Sequence, residues 1–178
     1  MNKDKILNLM TDATADVDFA TQISDTIVSE KTAELDCLMR EIQTDVVNAP
    51  ELVDSVIEHH LLQLTNAMYF ITTRCEIFGF YDDITKANAR LKYNELYTEN
   101  QLNAANTGKK TTNADNQLYA ETNSVDETVL NIIYARSVRI IKGKLEAANE
   151  MIRTLSKLLS VHMNVNTATS TSRRLLEG

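Results

Sequence analysis

Apolar residues repeat at alternating intervals of four and three residues through two long segments of the chain. In the first segment they are Ile57, Leu61, Leu64, Met68, Ile71, Cys75 and Phe78. In the second they are Tyr134, Val138, Ile141, Leu145, Ala148, Ile152, Leu155 and Leu159. This spacing places an apolar stripe along one side of a helix, as in a coiled coil. The sequence therefore predicts two long helices that pack through these stripes.

Turn-forming residues are too scarce for any other fold class. The chain has 178 residues but only four glycines and one proline. A sandwich or barrel needs turn residues every 8–12 positions or so, and a doubly wound α/β fold needs a glycine-rich turn. The prediction is therefore an all-α protein. A polar stretch near residues 103–118 separates the two heptad segments and predicts the tip of a long, coiled-coil-like antiparallel helical hairpin.

The chain divides into three predicted regions. Apolar residues at intervals of three and four from about residue 16 to 47 predict an additional N-terminal amphipathic helix, which Pro50 would end. Residues 1–48 are then an acidic helical arm, and residues 49–163 form the hairpin. Residues 164–178 are rich in Asn, Thr and Ser and predict a flexible tail.

The first stripe is expected to change register near Gly79. Beyond it, the same spacing resumes from a displaced start at Phe80, Ile84, Ala87 and Leu91, which is typical of a stutter in a coiled coil. A helix with more than one apolar stripe needs more than one packing partner, so we expect a homo-oligomer. The residues outside the stripes are Val53, Val56, Leu62, Phe70, Ile77, Ile132, Ile133, Ile140, Met151 and Leu158.

Charge is distributed unevenly along the chain, whose net charge is −7. Residues 1–60 hold 13 acidic and 4 basic side chains, a net charge of −9, whereas residues 121–178 hold 6 and 8, a net charge of +2. One interpretation is a body that binds a polyanion, with the acidic arm docked on it and competing for its cations. The alternative is that these charges only solvate helix faces.

No pattern in the sequence indicates catalysis. His59 and His60 are adjacent, so on a helix they point about 100° apart and cannot share a metal ion. The chain has no glycine-rich phosphate loop, nucleophile elbow or H-E-x-x-H motif. We therefore expect no catalytic residue, no metal, no cofactor and no enzymatic activity.

Several features predict a cytoplasmic protein without a membrane partner. Cys37 and Cys75 follow no disulfide pattern. The first residues lack the apolar core of a signal peptide. The chain also lacks the apolar run of about 18 residues that a membrane span needs.

Two groups of residues are candidates for contact with nucleic acid. Arg139, Lys142, Arg153 and Lys157 share one side of the last helix and would face solvent, where they could follow a phosphate backbone. Alternatively, they form ordinary ion pairs with Glu146 and Glu150, which lie in the same stripe. Near the tip, tyrosines alternate with basic residues and could stack single-stranded bases. These are Arg90, Lys92, Tyr93, Tyr97, Lys109 and Lys110. The alternative is that Tyr93 and Tyr97 close the narrow end of the hairpin.

The middle and C-terminal two-thirds of the chain resemble the UvsY-type recombination mediators of T-even-like phages. The resemblance lies in residues 89–93 (Ala-Arg-Leu-Lys-Tyr), in Lys110-Thr111 after a polar turn, in Asp126-Glu127, and in the last long helix. In that helix it rests on Leu145, Ala148, Ile152 and Leu155. It implies a ring-like oligomer that binds single-stranded DNA and helps to load a recombinase over single-strand binding protein.

Two functional hypotheses follow. The first is a non-enzymatic, oligomeric phage accessory protein that binds single-stranded DNA and works beside a recombinase or another phage protein in the cytoplasm of the host. The alternative is a structural or scaffold protein, either a virion component or an adaptor for protein partners, that acts through its helical bundle.

Overall fold

The computed structural model describes the backbone of residues 17–48 and 53–176, and the side chains of residues 19–47 and 53–165. Within these ranges every regular element is an α-helix, so the all-α prediction is confirmed. The helices are α1 (Val17–Asn48), α2 (Asp54–Asn106), α3 (Asn113–Asn123) and α4 (Val125–Leu176). The first sixteen residues of the predicted acidic arm lie outside the described residues.

The non-helical turn between α2 and α3 is shorter than the predicted tip at 103–118. Gly108 ends α2 with a φ of 67°, a left-handed conformation that favours glycine. The amides of Gly108 and Lys109 donate to the carbonyls of Ala105 (3.3 Å) and Ala104 (3.0 Å), which is the hydrogen-bond pattern of a Schellman cap. Thr112 then begins α3 with a capping box. Because both ends are capped, only residues 107–112 leave the helices.

The last helix extends beyond the predicted boundary at residue 163. α4 continues to Leu176, so the helix is longer than predicted, and the flexibility of residues 164–178 stays a prediction. Neither glycine nor proline occurs between Gly143 and Gly178. Asn, Thr and Ser each cost a helix only a fraction of a kcal/mol, and extending an existing helix is easier than starting one.

The chain forms two compact units, and the division between them falls within the long helices. Unit 1 contains the described part of residues 1–30 together with residues 75–141, and unit 2 contains residues 31–74 and the described part of residues 142–178. α1, α2 and α4 each contribute to both units. The predicted boundary at 48/49 is therefore the end of a helix but not a boundary between units.

The core of unit 2 is mostly aliphatic. The buried apolar side chains of this unit are Leu35, Ile42, Ile57, Leu64, Ala67, Ile71, Ala148 and Leu155. Seven of the eight belong to the apolar patterns predicted from the sequence, and Ala67 of α2 is the one that these patterns miss. Two histidines add polar links between helices, since His60 lies 2.9 Å from Asp45 and His162 lies 2.9 Å from Asp54.

Unit 1 mixes apolar and polar side chains in its interior. Its buried apolar residues include Ile23, Ile27, Phe78, Leu130, Ile133, Tyr134, Val138 and Ile141. Beside them, the hydroxyls of Ser24 and Ser137 lie 3.1 Å apart. Phe78 packs against Tyr134 and Asp82 contacts Asn131, so α2 and α4 run antiparallel in this unit. The hairpin over the whole length of the helices stays a prediction.

Ile133 corrects one expectation from the sequence. It lies outside the heptad stripe of α4 and was expected among the residues that face another molecule, but it is fully buried. In unit 1, α4 contacts α1 through Ser137 as well as α2 through Tyr134. Packing against two helices buries a wider face than a single stripe covers.

The acidic α1 contacts basic residues of α4 within each unit. Arg136 donates to Asp25 at 3.0 Å in unit 1, and Lys144 pairs with Asp36 in unit 2. Lys144 also donates to the hydroxyl of Thr32. Carboxylates of α1 thus pair with cations of α4 within each unit, and competition between the acidic arm and a polyanion for these cations stays a prediction.

Candidate interaction surface

An apolar stripe lies on the solvent-facing side of α2 in unit 1. Its large residues expose substantial fractions of their surface: Ile77 52%, Phe80 64%, Ile84 39% and Leu91 60%. Ala87 is exposed as well. These five residues, which we call the outer stripe, follow one another at intervals of three, four, three and four. That is the spacing of a helix surface that packs on another helix.

The outer stripe corrects the predicted change of register. The buried or half-buried side of α2 continues past Gly79 without a slip, at intervals of three and four, and its members are Cys75, Phe78, Asp82, Thr85, Ala89, Lys92 and Leu96. The displaced apolar set was expected to replace this side as the inward seam. It instead forms a second stripe on the outside, because polar residues already fill the inward positions.

Hydrogen bonds allow these polar residues to face inward. The amide of Asn131 donates to the carboxylate of Asp82 at 3.0 Å and lies 3.4 Å from the hydroxyl of Thr85. Thr85 donates to the carbonyl of Tyr81 at 2.8 Å. Buried polar groups are tolerated when they have such partners. The sequence contains no local sign of this arrangement, since Asn131 is 49 residues from Asp82.

Tyr97 takes part in a contact between α2 and α3, and Tyr93 stacks on Tyr97. Their rings stack with centroids 6.5 Å apart, and the hydroxyl of Tyr97 donates to Asn113 at 3.3 Å. Asn100 donates to Asn116 at 2.8 Å in the next layer. Both tyrosines are half-buried. Closure of the narrow end of the hairpin by these tyrosines stays a prediction, as does the stacking of bases on them.

The basic residues near the turn differ in their exposure and surroundings. Arg90, Lys109 and Lys110 are exposed. Lys92 is half-buried and lines a groove of about 400 Å³ that also contains Glu95, Asp126 and Glu127. The described segments of unit 1, residues 17–30 and 75–141, hold 12 acidic and 7 basic side chains, a net charge of −5. A polyanion would meet net repulsion from these segments.

The predicted basic stripe of α4 is divided between the units. Arg139 is in unit 1, whereas Lys142, Arg153 and Lys157 are in unit 2, and all four are exposed. Arg153 pairs with Glu150, as its spacing predicts. Among the described residues no ion pair joins Lys142 to Glu146.

The described part of the chain contains neither a candidate metal centre nor a candidate membrane span. No group of three or more His, Cys, Asp or Glu side chains among those residues could hold a metal ion. No helix in the same ranges combines the length and apolar character that crossing a bilayer requires. His60 is buried, but its partner is the single carboxylate of Asp45. The outer stripe is therefore the surface with the clearest chemical character.

Comparison with known protein families, with curated proteins and with solved structures gives no match.

Proposed function

We propose that the protein is a non-enzymatic helical assembly protein that acts by packing the outer stripe of α2 against a helix of another molecule. The observation that carries this proposal is the heptad-spaced exposure of Ile77, Phe80, Ile84, Ala87 and Leu91. Contiguous exposed apolar surface is typical of interaction sites. Burying it contributes roughly 25 cal/mol per Å² before the costs of association are subtracted.

Binding of single-stranded DNA is the second candidate. It is supported by the stacked pair Tyr93 and Tyr97 and by Lys109 and Lys110 on the adjacent turn. In this case the chain would be the phage accessory protein that its resemblance implies, with a recombinase as partner. The net charge of −5 in the described segments of unit 1 places this candidate second, because affinity for nucleic acid derives largely from phosphate neutralisation.

The native mass tests both candidates in one experiment. We expect the wild-type mass to exceed that of one chain, and Ile84→Glu to reduce it to one chain. Leu118→Glu is the matched control, because Leu118 is an apolar residue of α3 that is 65% exposed and lies outside the outer stripe. A wild-type monomer, or equal effects of the two variants, would contradict the assembly proposal.

Adding a single-stranded oligonucleotide at about 50 mM salt is expected to leave the native mass unchanged. Binding whose affinity falls linearly with the logarithm of the salt concentration would support the second candidate over the first. Replacing Lys109 and Lys110 by glutamate would then have to abolish the binding.

A further inference from the structure

We infer that the partner of the outer stripe is the same stripe of a second copy of the chain, packed antiparallel, with Asp83 of each copy facing Arg90 of the other. This inference rests on the proposed function and specifies the partner and its orientation. It is carried by the position of two charges beside the outer stripe.

The outer stripe has the two alternating sets of core positions that a helix pair uses. Ile77, Ile84 and Leu91 are spaced seven residues apart, and Phe80 and Ala87 lie between them. Asp83 and Arg90 each directly precede a residue of the first set, so both flank the stripe on the same side. Both are exposed, and no ion pair in the described part of the chain involves either of them. Charges at such flanking positions determine partner and orientation in coiled coils.

Antiparallel packing brings this flank of one helix against the same flank of its copy. When Ile84 faces Ala87 of the second copy, the next layer pairs Phe80 with Leu91. By symmetry each of these contacts occurs twice. In this register Asp83 and Arg90 face each other at both ends of the central layers, and Ile77 faces Asn94 of the second copy outside them.

Neighbouring antiparallel registers are disfavoured by the same two charges. A shift of seven residues in one direction places Asp83 against Asp83, and a shift in the other direction places Arg90 against Arg90. Like charges opposite each other destabilise a helix pair. The inferred register is the one of these three in which the flanking charges attract.

The sizes of the side chains also favour the antiparallel arrangement. A parallel pair in register would pack Phe80 against Phe80 and Ala87 against Ala87, so layers of very different width would follow each other. The antiparallel pair places Ile84 against Ala87, which keeps the layers closer in volume. A two-fold contact of this kind uses the same patch on both copies and closes at a dimer.

Charge exchange tests the register directly. Asp83→Arg creates two facing Arg pairs in the dimer, and Arg90→Asp creates two facing Asp pairs. We expect each variant to raise the dimer dissociation constant about tenfold, or about 1.4 kcal/mol, because two exposed attractive pairs become repulsive. Glu99→Arg is the matched control, because it reverses an exposed charge of α2 away from the outer stripe and is expected to leave the constant unchanged.

An equimolar mixture of the two single variants separates the register from any folding defect. In the mixed dimer both facing pairs are again opposite in charge, so we expect its dissociation constant to return to the wild-type value or below. The double variant Asp83→Arg/Arg90→Asp should behave in the same way. High salt should reduce all of these differences, since exposed charges are screened.

The outcomes distinguish this inference from the proposed function. If Ile84→Glu dissociates the assembly but neither the mixture nor the double variant recovers it, the antiparallel register is wrong and the assembly function stands. A parallel pair would show this result, because Arg90 would then face Glu95. If the wild type is a monomer, or Ile84→Glu leaves its mass unchanged, the assembly function and this inference both fail.

Discussion

The two halves of α2 use the same heptad spacing for different purposes. In unit 2 the inward side of residues 54–74 carries Ile57, Leu64 and Ile71, which are fully buried. In unit 1 the inward side of residues 75–106 includes Asp82 and Thr85, and the apolar heptad lies outside. Heptad spacing therefore locates an apolar stripe but does not determine whether that stripe faces the chain's own core. In unit 1 the inward face is specified by hydrogen bonds, which leaves an apolar face for a partner.

The largest expected difference in the free energy of unfolding is between a variant of an inward leucine and a variant of an outer one. Leu64→Ala removes a fully buried side chain of unit 2 and should lower the free energy of unfolding by about 3 kcal/mol. Leu91→Ala in the outer stripe should change the stability of the monomer by less than about 0.5 kcal/mol. Urea unfolding at concentrations too low for assembly measures both values. Equal losses would mean that the outer stripe belongs to the core.

The next effect concerns the polar interior of unit 1. Asn131→Ala removes the donor to the Asp82 carboxylate and should lower the free energy of unfolding by about 1–2 kcal/mol. Asn88→Ala is the control, because Asn88 is an exposed asparagine of α2. Urea unfolding compares the two variants. A loss no larger than that of the control would show that the hydrogen bonds do not specify the inward face.

A smaller effect is expected at alkaline pH in unit 1. Burial, and then the neighbouring Tyr81, raises the pKa of Tyr134 above its ordinary value of 10.0. The unfolded chain therefore ionises first, so the stability that this residue provides is complete below pH 10.0 and is lost as the pH rises towards the folded-state pKa. Urea unfolding of the wild type and Tyr134→Phe over this range should show a steeper loss for the wild type. Parallel losses would place Tyr134 in a solvent-like environment.

The smallest effect concerns the start of α3. Hydrogen bonds from the amide and then the hydroxyl of Thr112 lower the pKa of Asp115 below 3.8. The stability from this capping box is therefore present above pH 3.8 and is lost as the pH falls through the folded-state pKa. Asp115→Ala should accelerate amide exchange at the first turn of α3 at neutral pH. Amide exchange rates in the variant equal to those of the wild type would show that the capping box does not stabilise the start of α3.

Local patterns predicted the three long helices and most of their buried positions, but not α3, which begins within the predicted tip. The stripe of α4 from Tyr134 to Leu159 is buried or half-buried at each position, because heptad spacing and side-chain polarity agree there. The inward side of α2 in unit 1 could not be predicted in this way. Asp82 and Thr85 face inward because the amide of Asn131 lies within hydrogen-bond distance of both side chains. That contact depends on the packing of segments that are distant in sequence.

The sequence pattern predicted the residues of the candidate surface but not the side of α2 on which they lie. The heptad spacing of Phe80, Ile84, Ala87 and Leu91 predicts a continuation of the inward seam, whereas the structure places these residues on the outside. The continuous series Cys75, Phe78, Asp82, Thr85 and Ala89 has the same spacing. Its polar members Asp82 and Thr85 hide it from any pattern based on apolar residues alone.

The distance between identical positions of two copies tests the central claim most directly. Spin labels at Lys86→Cys and, separately, at Glu99→Cys, in a chain with Cys37→Ser and Cys75→Ala, would give this distance by electron spin resonance. Both sites are exposed. The antiparallel pair is centred between residues 85 and 86. The labels at 86 should therefore lie side by side, and those at 99 should be separated by roughly 40 Å along the axis. Equal distances at the two sites, or no distance between copies at either, would contradict the account.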